Sequence, residues 1–157
     1  MSRVLELWQR YHTLMLATQQ ARGAVGEALA EELRRALSDS TDVEAKYGDD
    51  VAYARLGGAV DLRLSWSEIG GSLCCMSSGE MCGFVRIQEG DSVRAALLRL
   101  ATAVELAAAS HEGRRQKAGS TASADLVRTC EIYVAAATYV RAVLPTEASS
   151  VRSETPA

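Results

Sequence analysis

The stretch AVDLRLSWS (residues 59–67) decides how the chain is read. Val60, Leu62, Leu64 and Trp66 alternate with Asp61, Arg63, Ser65 and Ser67. Successive strand side chains point to opposite faces, so the alternation specifies a strand with one apolar and one wet face. Gly57-Gly58 precedes it and suits a two-residue hairpin turn, which needs positive φ, so VAYARL (51–56) becomes its partner. Gly70-Gly71 turns the chain again into SLCCMS (72–77), and Ser78-Gly79 turns it into MCGFVRI (81–87). Four strands joined by short turns predict an antiparallel β-meander over 51–88 with a single covered face.

The flanks carry a different period. Val4, Leu7, Trp8, Tyr11, Leu14 and Met15 recur at spacings of three and four, and Val25, Leu29, Leu33 and Ala36 continue the phase. That pattern predicts a helix over residues 3–38. Gly23 and Gly26 interrupt it, each costing roughly 1 kcal/mol relative to Ala inside a helix, so a break or kink is expected near Gly23-Gly26. Residues 91–111 return to helix, capped by Asp91 or Ser92, with Val93, Leu97, Leu100, Val104 and Ala108 on one face. EGRRQKAGSTAS (112–123) reads as a polar connector. A last helix is expected over 123–144, with Leu126, Cys130, Tyr133, Ala137, Val140 and Leu144 inward and Pro145 as its stop. The fold class is therefore α+β: an N-terminal helix, a four-stranded antiparallel meander and two C-terminal helices. Residues 1–144 form one domain, and 145–157 are expected to be a disordered tail.

Composition narrows the function. The chain has 157 residues and a net charge of −3, which argues against nucleic-acid binding, where a basic surface supplies most of the affinity. Its basic cluster, GRRQK (113–117), has no interleaved aromatics for base stacking. No stretch reaches the ~18 apolar residues that a membrane span needs. The N-terminal dozen residues lack the apolar core of a signal peptide, so a cytoplasmic location with reduced thiols is expected.

Three of the four cysteines crowd into SLCCMSSGEMC (72–82). A two-residue turn at Ser78-Gly79 places Ser77 opposite Glu80, Met76 opposite Met81 and Cys75 opposite Cys82. Cys74, one residue away from Cys75, belongs to the other face. Three sulfurs so divided do not converge on a metal, and no paired CxxC or HxxxH element supplies four ligands. No metal or cofactor is expected. The cysteines read as packing, with Cys75 and Cys82 as the candidate thiol pair. His12 and His111 read as a boundary histidine and a helix-end histidine. Glu31-Glu32 and Asp49-Asp50 read as solvated carboxylates. There is no GxSxG elbow, no phosphate-binding glycine loop and no dinucleotide fingerprint.

The order of elements and the acidity are similar to those of type III secretion chaperones, small dimeric proteins with a first helix, a twisted sheet and a late helix. The chain departs from them in its additional terminal helix and in having no helix between strands. The expected function is a non-enzymatic, protein-binding or assembly subunit, adaptor or chaperone-like, working as a homo-oligomer or with a protein partner. Trp8, Tyr11 and Met15 are its candidate interface residues, because aromatic side chains and Met are enriched at interfaces. The alternatives are a small enzyme or ligand-binding domain with a pocket between sheet and helices, or a thiol-based sensor using Cys75 and Cys82.

Overall fold

Alternation in the middle of the chain and helical spacing at its ends give the layout predicted for them. The computed structural model describes residues 2–45, 50–67 and 69–145. Its elements are α1 (Ser2–Ala36), β1 (Asp42–Ala45), β2 (Val51–Gly57), β3 (Val60–Ser67), β4 (Gly70–Ser77), β5 (Glu80–Ile87), α2 (Val93–Ala118), a 3-10 turn (Gly119–Thr121) and α3 (Ala124–Val143). The strands form one antiparallel sheet in the order β1-β2-β3-β4-β5. This is the expected α+β fold with one strand more than expected. β1 is short, with Asp42 and Glu44 on one face and Val43 buried on the other. The expected tail beyond 145 lies outside the described residues.

One face of the sheet is dry. Leu62, Leu64, Leu73 and Cys75 are fully buried there, under Leu97, Leu100 and Val104 of α2, Ala136 and Val140 of α3 and Leu33 of α1. Each large apolar side chain so buried contributes roughly 1.5–3 kcal/mol relative to exposure. The one buried polar side chain among the described residues, Ser77, donates its hydroxyl to the Ile132 carbonyl at 3.0 Å, tying β4 to α3. The other face is wet over β1–β3. Arg55 bridges to Glu44 at 2.7 Å, Arg63 bridges to Asp61 at 2.9 Å and lies over the Tyr53 ring.

Five expectations are corrected. First, α1 runs from Ser2 to Ala36 as a single helix, with no break at Gly23-Gly26. Good helix formers on both sides carry it through, and Gly26 is buried where α1 comes to rest on the sheet. Second, α2 continues to Ala118 through most of the expected connector. Polar residues there are also helix formers, and Arg115 bridges to Glu112 one turn away at 2.7 Å. Ser92 is the α2 cap, its hydroxyl accepting from the Ala95 N–H at 3.1 Å. Third, Gly70-Gly71 belongs to β4 rather than to the turn before it. Fourth, Cys75 pairs with Gly83 and not with Cys82, because a bulge in β5 shifts the register beyond Met76–Met81. Gly83 sits under α2: a Cβ there would come 2.6 Å from Val104 Cγ2, so only glycine fits that seat. The inward face of α3 is also rotated, with Ile132, Ala136 and Val143 buried beside Cys130 and Val140.

Candidate functional site

The first helix is two objects in one. From Leu29 onward it belongs to the core: Leu29, Ala30, Leu33, Ala36 and Leu37 are buried, Leu33 completely. Residues 3–21 are exposed throughout, apart from a half-buried His12. Its ring stacks on Trp8 one turn away, with centroids 5.1 Å apart and planes within 5°. Arg22 bridges to Asp50 at 3.2 Å, close to where the helix meets the sheet. At 1.5 Å rise per residue, the exposed segment projects roughly 30 Å from the body.

That projecting segment is not polar. Val4, Leu7, Trp8, Tyr11 and Leu14 are each more than half exposed, Trp8 at 58% and Tyr11 at 63%. Met15 is 36% exposed and Val25 41%. They repeat at three and four, so they form one stripe, and Leu29 extends the same stripe into the body. The candidate interface residues Trp8, Tyr11 and Met15 all lie on it, on a stretch of helix that the rest of the described fold does not cover.

At the foot of the stripe lies a groove of about 730 Å³. Leu29, Trp66, Ile69, Ile87 and Val93 give it an apolar floor, and Glu32, Arg86, Glu89 and Asp91 stand around it. Trp66 lies on the dry face of β3, past the reach of the helices, and is 52% exposed. Its ring covers Gly71, where a Cβ would come 2.6 Å from the indole. Alternation alone places Trp66 on the covered face with Leu62 and Leu64, and Ile69 carries no periodic signal. The available signal was a large apolar residue in a turn, next to Gly70.

The thiols are placed differently. Cys75 and Cys82 are buried on the dry face, and Cys74 is half-buried on the other. The division of the three sulfurs is as expected, although the two buried ones are not directly paired. Burial pushes the Cys75 thiol up to about 12, with Cys82, Cys74 and Asp61 adding to the effect. Burial, with Glu80 nearby, pushes Cys82 up to about 11. Cys74 is also raised by burial, against the pull of Arg63. These thiols stay protonated at neutral pH, and a thiol is a poor nucleophile in that form. His111 packs against Tyr133 with ring centroids 4.4 Å apart. Glu31 and Glu32 bridge to Arg34 and Arg35, and Asp50 to Arg22, whereas Asp49 lies outside the described residues.

Neither the groove at the foot of α1 nor a second one of about 400 Å³ beside α3 is lined by Cys75, Cys82 or His12. Among the described residues no group of three or more His, Cys, Asp or Glu is placed to hold a metal ion. No described helix is long and apolar enough to cross a membrane. Comparison of the chain with protein-family models, with curated proteins and with solved structures finds no match.

Proposed function

We propose that this protein works by binding another polypeptide through the projecting half of α1, as an assembly or adaptor subunit rather than as a catalyst. The observation that carries this reading is the apolar stripe Val4, Leu7, Trp8, Tyr11, Leu14 and Met15 on a helix that the described fold leaves uncovered. Most helical stability in proteins comes from packing of an apolar face, so a partner that covers the stripe stabilises the helix as well as the contact. Trp and Tyr are the side chains that most often dominate such contacts. The stripe's acidic and basic neighbours Arg3, Glu6 and Arg10 supply a polar rim.

The test compares the full chain with a Trp8→Ser/Tyr11→Ser/Leu14→Ser variant, purified and in cell extract, by sedimentation. The native chain is expected to sediment above its monomer mass of 16.8 kDa in at least one setting, and the variant as a monomer in both. A native chain that stays monomeric in extract and at high micromolar concentration removes the reading.

A further inference from the structure

We propose that the polypeptide bound by α1 is a second copy of this chain, with the two first helices antiparallel and the tip of each seated in the groove at the foot of the other. The inference rests on the reading of α1 as a binding element and names its partner.

The stripe's own size gradient sets the direction. Its large side chains, Leu7, Trp8, Tyr11, Leu14 and Met15, lie in the first half. Its second half is small: Ala17, Thr18, Ala21, Ala24, Val25 and Ala28. Two helices pack at a constant distance when large residues face small ones. Antiparallel alignment does this along its whole length, setting Val4 against Ala28, Leu7 against Val25, Tyr11 against Ala21 and Leu14 against Thr18. These are alternating three- and four-residue positions, as a coiled-coil seam requires. Parallel alignment sets Tyr11 against Tyr11 and Ala21 against Ala21, which forces the helices apart at one end and leaves a void at the other. It also places Arg3 and Arg10 beside their own copies.

The groove supplies the seat. In this alignment the tip of one helix reaches the level of Ala28 and Leu29 in the other, where the stripe enters the groove. Its floor of Leu29, Trp66, Ile69, Ile87 and Val93 receives Val4, while Trp8 packs on Ala24. The groove's rim is charge-balanced, with Glu32 bridged to Arg35 and Asp91 to Arg99, so shape and apolar area carry the choice of partner.

Area is sufficient. From their fractional exposures the stripe residues Val4, Leu7, Trp8, Tyr11, Leu14, Met15 and Val25 present on the order of 800 Å² per copy, about one partner's share of a standard-size interface. The contact is self-complementary about a two-fold axis, so it closes at two copies and leaves no stripe open for a third.

The experiment uses the full chain. The purified protein is expected to sediment at twice 16.8 kDa at low micromolar concentration, with Tyr11→Ala raising the dissociation constant at least tenfold. Direction is read by mild oxidation of single-cysteine additions. A Leu7→Cys copy mixed with a Val25→Cys copy should give a covalent heterodimer, while Leu7→Cys alone should give none beyond the unmodified chain. Leu7 is 54% exposed and Val25 41%, so both variants should keep the native thermal transition of the body. A disulfide-linked dimer from Leu7→Cys alone overturns the antiparallel geometry. A monomer at high micromolar concentration overturns the second copy as partner. If that monomer joins a larger complex in extract and the triple serine variant does not, binding through α1 stands while this inference falls.

Discussion

The two halves of α1 carry the same apolar period and live in different surroundings. Leu14 and Leu33 are both leucines of the inward phase, yet Leu14 is 60% exposed and Leu33 is fully buried. Helical spacing states which face of a helix is apolar. It is silent about what covers that face. In the second half the cover is the sheet and α2; in the first half nothing among the described residues covers it. Truncating both residues separates the two roles. Leu33→Ala removes a core side chain and leaves a cavity, with an expected loss of about 2–5 kcal/mol in urea or thermal unfolding of the body. Leu14→Ala should change the same transition, measured on dilute protein, by less than about 0.5 kcal/mol. Equal losses at the two sites would show that the first half is packed against its own body.

The buried thiols sharpen the same contrast from within the core. With its pKa near 12, Cys75 carries roughly a thousandfold less thiolate at neutral pH than an unperturbed thiol. Alkylation of Cys75 and Cys82 in the folded protein should therefore be slow at pH 8 and accelerate on denaturation. The pH dependence of stability has a definite sign. Both thiols have folded values raised above the ordinary 9.0, to about 12 and about 11. The unfolded chain thus releases these protons first. The stability contributed by the buried neutral thiols is complete below about pH 9 and is lost as pH rises toward about 12. Thermal scans from pH 8 to pH 11 should show a falling midpoint for the body. Fast labelling of Cys75 in the native state at pH 8 would revive a thiol-sensing role.

Much of this is legible in the sequence. β2 to β5 were readable because their alternation and their turn residues agree, and Ser78, with φ of 49°, and Gly79, with φ of 81°, form the tight turn their sequence specifies. β1 was missed because four residues, two of them charged, carry too little pattern. The connector after residue 111 was misread because polar and helical are not opposites, as Glu112 and Arg115 show. The facing of Cys75 and Cys82 failed on a single inserted residue, since one bulge moves every later pair by one. The candidate surface was half legible. Trp8, Tyr11 and Met15 were identifiable from spacing and residue type. Their exposure was not, because it depends on where α1 meets the sheet. The groove was hidden because Trp66 and Ile69 reach it from opposite sides of a turn.

The smallest expected effect tests the joint between the two halves. Gly23 stands one residue after Arg22, near the point where α1 leaves the sheet, and a Cβ added there meets nothing within 4 Å. Its backbone is already helical, so alanine fits without strain. Alanine loses less conformational freedom on folding, and Gly→Ala at such a site stabilises a helix by roughly 0.5–1 kcal/mol. The gain belongs to the projecting half, because the core half is held by packing whether or not the joint is stiff. Gly23→Ala should therefore raise the far-UV helical signal of dilute protein and leave the thermal midpoint of the body nearly unchanged. A stiffer joint also holds the stripe in line with the groove, so self-association should tighten by a few-fold. If Gly23→Ala weakens association instead, the helix must bend at Gly23 to bring its tip onto its partner, and the two halves are hinged rather than continuous.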